Sequence, residues 1–161
     1  LPDVLTQATA FDTYLATHPD TEPLPRQLVV HANGLIRQLS HPPPTASFYS
    51  DLHHDNILRA TRKPWLAIDP HGIVGDPGYE VGALPFNPDQ NNRDETLTAL
   101  VPPRAEQLAD ELAMPANRIV ATGFVKAMLS QVSSIEGWLG LADHPISQAL
   151  DVAHLLRSRL P

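Results

Sequence analysis

Cysteine is absent from the 161 residues, which excludes both a disulfide framework and a thiolate metal site. Lysine is scarce: Lys63 and Lys126 are the only two, and the arginines are scattered. With a formal net charge of −7, no basic patch could offset phosphate repulsion, so a general nucleic-acid binder is excluded. No apolar run approaches the ~20 residues of a membrane span, and no basic segment followed by an apolar core opens the chain. The expectation is a cytoplasmic protein with no membrane or nucleic-acid partner. A phosphate-cradling glycine fingerprint is also missing. Gly72, Gly75 and Gly78 recur every third residue and do not join a strand to a helix, so they are expected to serve tight turns.

What is present is a globular composition, 42% apolar and 18% charged, in a chain long enough for one domain with a real core. Leu5, Ala8, Phe11, Tyr14 and Leu15 repeat at helical spacing and predict a helix from Val4 to Thr17. Leu24, Leu28, Ala32, Leu35 and Leu39 predict a second, stopped by His41-Pro42-Pro43-Pro44 because prolines cannot donate to a helix. From Pro103 onward the pattern is wholly helical: a short helix over Ala105–Leu112, a long one after Pro115, and a last one around Ile146–Leu156. The first residue is Leu, and a helical pattern starts almost at once, which reads as the middle of a longer chain.

The chemistry is concentrated between Phe48 and Gly72. Asp51 is followed five positions later by Asn56, and Asp69 ends the next apolar run. Ile57-Leu58 and Trp65-Leu66-Ala67-Ile68 flank the polar tip Arg59 to Pro64, which predicts a β-hairpin. Asn56 precedes the first strand and Asp69 follows the second, so antiparallel pairing brings both to the same end, within reach of Asp51. Oxygen donors gathered this way suit a hard cation such as magnesium, with phosphates and water completing its shell. Phosphoryl-transfer enzymes of the protein-kinase type use such a trio: an Asp that accepts the hydroxyl proton, and an Asn and an Asp that hold magnesium. Asp76 is expected either to cap a helix over Tyr79–Leu84 or to anchor the catalytic loop.

Three motifs carry a family resemblance: Asp51-Leu52-His53-His54-Asp55-Asn56-Ile57-Leu58, Pro64-Trp65-Leu66-Ala67-Ile68-Asp69-Pro70, and Gly75-Asp76-Pro77-Gly78-Tyr79-Glu80. Together they resemble the aminoglycoside phosphotransferase superfamily, and within it the streptomycin 6-kinase or aminoglycoside/hydroxyurea antibiotic resistance kinase group. The resemblance implies Asp51 as catalytic base, and Asn56 and Asp69 as ligands of magnesium and of the ATP it carries. His53, Asp76 and Glu80 would give structural or substrate support. A cationic, aminoglycoside-like small molecule would accept the γ-phosphoryl group on a hydroxyl. Asp76, Glu80, Asp89, Asp94 and Glu95 are candidates for attracting it. Tyr49 and Ser50 stand where the family has His and Gly, and Asp55 replaces a small residue beside Asn56.

The implied fold is mainly α with a small β-hairpin, the carboxy-terminal lobe of a protein-kinase-like domain. It would cover residues 1–161, with the catalytic loop and metal-ligand hairpin at 47–72. A kinase-like site also needs a strand lysine and a loop over the phosphates. Lys63 lies at the hairpin tip and Lys126 on a late helix, and only two helices precede Phe48. The amino-terminal lobe, on the order of 100 residues, is therefore expected to be absent and the chain alone inactive. The alternative is a non-catalytic pseudo-kinase or metal-binding helical module, in which His53, His54, Asp55, Asp69 and His71 gather around zinc or nickel. A plain helical scaffold, its aspartates only capping helices, is the third reading.

Overall fold

Six α-helices and two two-stranded antiparallel sheets lie among residues 3–19, 23–40, 46–48, 52–70, 72–87, 95–137 and 148–161, which a computed structural model describes. The amino-terminal periodicity becomes a 3-10 turn, Val4–Gln7, running into α1, Ala8–Thr17. Asp3 starts it by accepting the Leu5 amide at 2.8 Å. Helix α2, Arg26–Leu39, follows Pro25 and buries Leu28, Val29, Ala32 and Ile36. An ion pair between Asp12 and Arg37 at 2.7 Å links α1 to α2. Both partners are about half exposed, so packing of Phe11, Tyr14 and the α2 stripe holds the pair together far more than charge does. His41–Pro44, expected to stop α2, lies outside the described residues.

Helix α5, Ala116–Gly137, is the axis of the core. Ile119, Phe124, Val125, Ala127, Met128, Val132 and Ile135 are all buried, as are Thr122 and Gln131. A helix apolar on nearly every side can only be stable inside. Four other helices surround it: α1, α2, α4 (Glu95–Glu111) and α6 (Gln148–Arg157), together with the short α3 (Pro77–Val81). Thr122 is tolerated because its hydroxyl donates to the Arg118 and Ile119 carbonyls at 3.0 Å. Helix α4 starts well before the expected Pro103 and runs through Pro102 and Pro103. The buried row Val101, Ala105, Ala109 explains this. Its burial outweighs the two amide donors that the prolines remove. Among the described residues, no helix is long and apolar enough to cross a membrane.

The strands form two nested pairs. Strand β1, Ala46–Phe48, runs antiparallel to β4, Ile73–Gly75, with Phe48 opposite Ile73. Between them in sequence lies the expected hairpin, β2 (Ile57–Arg59) against β3 (Trp65–Ala67). The pairing of β1 with β4 thus closes the base of the stretch that carries the chemistry. Side chains of β4 face the core at Ile73, and Val74 bridges to Asp3.

Two glycines test this packing in opposite directions. A Cβ on Gly82, just after α3, would lie 2.9 Å from the backbone carbonyl of Thr122 on α5, whereas one on Gly34 in α2 would meet nothing within 4 Å. Gly82→Ala is expected to destabilise by about 1–3 kcal/mol, and Gly34→Ala to stabilise by up to about 1 kcal/mol. Urea unfolding of both variants checks this, and similar midpoints for the two would contradict so close a contact between α3 and α5.

Candidate active site

The hairpin register determines which side chains meet. Ile57 pairs with Ala67 and Leu58 with Leu66, and the ladder extends one step further, with the Ile68 amide donating to the Asn56 carbonyl at 2.9 Å. Asn56 and Asp69 therefore arrive together at the hairpin's open end, as antiparallel pairing predicts. Asn56 closes a 3-10 turn, His54–Asn56, and is half-buried, while Asp69 is exposed. Asp69 adopts φ 56°, a left-handed conformation that few residues other than Gly, Asn and Asp accept. That backbone turns the chain sharply as it leaves the ladder. An amide oxygen and a carboxylate at one exposed edge fit a hard cation that keeps waters and phosphates in its shell. Asp51, Tyr49, Ser50, His71, Asp89 and Asp94 lie outside the described residues, so the third member of the trio has no described position.

The hairpin's faces are unusually bare. Alternation puts Leu58, Leu66 and Ile68 on one face with Asn56 at its end, and all three apolar side chains are more than a third exposed. Trp65, opposite Arg59, is 63% exposed. Contiguous exposed apolar surface of this kind marks a place where something else binds.

Among the described residues, the histidines do not assemble a metal site. His53 Nδ1 lies 3.6 Å from the Asp55 carboxylate. Among the described residues, no group of three or more His, Cys, Asp or Glu side chains is placed to hold a metal ion. His53, His54, Asp55 and Asp69 thus fail to form the cluster that a metal-binding module would use. A 3-10 turn rotates successive side chains by about 120°, which sends these neighbours apart. Burial, followed by the charge of Arg104, holds the His54 imidazole below its ordinary range; Asp55 works against this and His53 adds to it. Arg104 itself bonds the Asn87 carbonyl at 3.1 Å and the Pro85 carbonyl at 3.4 Å, tying α4 to the turn beyond α3.

Asp76 caps α3. Its carboxylate accepts the Gly78 amide at 2.7 Å. It also takes the Arg118 guanidinium, through Nε at 2.8 and 2.9 Å and through Nη2. With only 9% of its side chain exposed, Asp76 is committed to this corner and is not displayed to a cationic substrate. One oxygen of Glu80 is buried too, which gives that residue an interior position on α3. Beside it, Tyr79 is buried and donates to Gln7 Oε1, and the Lys126 ammonium sits 4.3 Å above its ring. Burial pushes the Tyr79 phenol far above its ordinary range, so it stays a neutral donor. Arg118 was not visible in sequence reasoning, since a lone arginine after Pro115 carries no spacing signal. The side chain of Glu95 is not among those described.

Comparison with known proteins bears directly on this arrangement. The family model described as aminoglycoside/hydroxyurea antibiotic resistance kinase matches residues 1–137. A streptomycin 6-kinase of Streptomyces glaucescens is 32% identical over 111 residues, covering 68% of this chain and 36% of the relative. A streptomycin 3''-kinase of Klebsiella pneumoniae is 32% identical over 112 residues, covering 69% and 39%. A hydroxyurea phosphotransferase of Kitasatospora aureofaciens is 38% identical over 56 residues, covering 35% and 16%. The chain therefore spans well under half the length of the curated relatives it matches. No solved structure matches it.

The lowered His54 pKa has a definite sign. The unfolded chain takes up a proton near 6.5, while the folded chain resists until lower pH, so stability falls as pH drops through that window. Side-chain NMR titration is expected to give His54 a midpoint below 6.5. A midpoint at or above that value would contradict the desolvation of the ring, the larger cause, together with the charge of Arg104.

Proposed function

The chain belongs to the aminoglycoside/hydroxyurea antibiotic resistance kinase family, and on that premise we propose that it is the carboxy-terminal lobe of an ATP-dependent phosphotransferase. The acceptor is a hydroxyl of an aminoglycoside-like antibiotic, and phosphorylation there inactivates the drug. The observation that carries this reading is the open end of the hairpin, which holds both Asn56 and Asp69 in sequence next to the exposed apolar side chains of Leu58, Leu66 and Ile68. Oxygen donors next to a flat apolar surface are what a nucleotide needs: one part for the charged phosphates, the other for a base.

In this reading Asn56 and Asp69 hold magnesium, which when bound neutralises the phosphate charge that builds up during transfer. Asp51 accepts the proton of the attacking hydroxyl. The β1–β4 pairing and the Asp76–Arg118 corner tether the stretch that carries Asn56 and Asp69 to the α5 core. The acidic balance of the chain favours encounter with a cationic acceptor. An amino-terminal lobe of the same protein would supply the phosphate-covering loop and the strand lysine, and would cover the exposed hairpin. Use of ATP places the reaction in the cytoplasm. The names of the relatives support two acceptor classes, streptomycin and hydroxyurea, and both offer a hydroxyl.

Two measurements test the proposal. The purified 161-residue chain, incubated with ATP, magnesium and streptomycin, is expected to release no ADP above background; robust phosphorylation would overturn the missing-lobe reading. In the whole kinase, Asp51→Ala is expected to lower kcat by about 10²–10⁴-fold, and Asp69→Asn to raise the magnesium concentration needed for half-maximal rate. Unchanged turnover in Asp51→Ala would return the segment to a purely structural role.

A further inference from the structure

The tip of the β2–β3 hairpin is basic on an otherwise acidic chain. Arg59, Arg62 and Lys63 lie close together in sequence, and no Asp or Glu stands between Asn56 and Ile68. The whole chain carries a formal net charge of −7, so the remainder is more acidic still. All three side chains are exposed, and none enters an ion pair among the described residues. Trp65 pairs across the hairpin with Arg59, which sets the indole beside a guanidinium. It is also the most exposed of the large apolar side chains described. Strand alternation puts Arg59 and Trp65 on the face opposite Leu58 and Leu66, away from the apolar surface that a nucleotide base would use. Tryptophan and arginine together are the residues enriched where proteins meet.

The outer side of α4 has the complementary composition. Leu100, Glu106, Asp110 and Glu111 are exposed there, on the side away from the buried row Val101, Ala105, Ala109. The Glu106 and Asp110 carboxylates make no hydrogen bond or ion pair among the described residues, while Glu111 accepts from Gln107 at 2.7 Å. These carboxylates are badly placed for the helix itself. Glu106 and Asp110 are like charges one turn apart. Asp110 and Glu111 occupy the last turn, where the macrodipole favours cations and where α4 has no basic residue. Cations brought from outside the chain relieve both repulsions.

We propose that the hairpin tip docks on α4 of a second copy of this chain. Trp65 packs on Leu100, and the three cations of the tip face the three carboxylates of the helix. Exchanged reciprocally, the contact closes as a two-fold dimer instead of growing into a fibre. At about 0.1 M salt a Debye length of ~10 Å already screens the repulsion between the two acidic bodies, while ion pairs in direct contact persist. A nucleic acid or an anionic membrane fits less well, because a continuous anionic surface also meets the acidic remainder of the chain. The contact uses neither Asn56 nor Asp69, so it stands independently of the phosphotransferase reading.

The test is sedimentation velocity of the 161-residue chain at about 100 μM, in about 0.1 M and about 1 M sodium chloride. The expected result is a dimer at the lower salt that dissociates at the higher. Arg62→Glu with Lys63→Glu should be monomeric, and so should Glu106→Lys with Asp110→Lys. An equimolar mixture of these two chains should dimerise again, because each reversed tip then meets a reversed helix and each native tip a native one. All four positions are exposed, so far-UV circular dichroism is expected to be unchanged. The proposal is overturned if the chain is monomeric at the lower salt, if either substituted chain still dimerises alone, or if the mixture stays monomeric. A dimer that persists at the higher salt would overturn it as well, since that is how association through Leu58, Leu66 and Ile68 behaves. So would a monomer that cosediments with phosphatidylglycerol vesicles through Arg62 and Lys63, which would assign the tip to a lipid surface.

Discussion

The pairing of β1 with β4 is the constraint on which the rest of the candidate site depends. Three opposed residue pairs, from Ala46 with Gly75 to Phe48 with Ile73, pinch together the two ends of the stretch that contains Asn56 and Asp69. Without that closure, the β2–β3 hairpin would be a short two-stranded ribbon of marginal stability. With it, the hairpin is tethered at its base to a strand whose Ile73 is buried in the helical core. The site is therefore a projecting loop with a rigid foundation. That combination suits chemistry needing fixed donors on one side and access for substrate on the other.

The foundation continues one residue beyond β4. Asp76 ends the strand, caps α3 and grips Arg118 on α5, so a single carboxylate joins three elements. Its burial makes it more than a surface ion pair, since a desolvated carboxylate left without its partners would be costly. Tyr79, one turn later, adds an apolar ring under Lys126 and a hydrogen bond to Gln7. These contacts explain why a short helix of five residues is stable: it is held from the strand side and from the α5 side at once.

Much of this was legible in the sequence because it rests on local pattern. Helical periodicity located α1, α2, α5 and α6, and the two apolar runs around Arg59–Pro64 located the hairpin. Pattern failed where tertiary burial overrides propensity. The prolines at 102 and 103 argue for a helix start, yet α4 passes through them because Val101 is buried against the core. It was ambiguous where one residue type serves two purposes: Asp76 could anchor a loop or cap a helix, and its cap on α3 and its partner Arg118, 42 residues away, become visible only in the folded chain. The acidic candidates illustrate the same limit, since a carboxylate read as a lure for cations is engaged by an arginine in the folded chain.

The sequence by itself determined the secondary-structure periods, the hairpin, and the spacing on which Asp51, Asn56 and Asp69 are proposed as a phosphoryl-transfer trio, because each depends on residues close in the chain. Only the tertiary structure decided three other things: that β1 reaches across to β4, that Asp76 belongs to α5, and that the apolar hairpin face stands bare while the α5 helix is buried. Those outcomes depend on which distant surfaces meet, and burial of apolar area carries no direction in sequence until the whole core has formed.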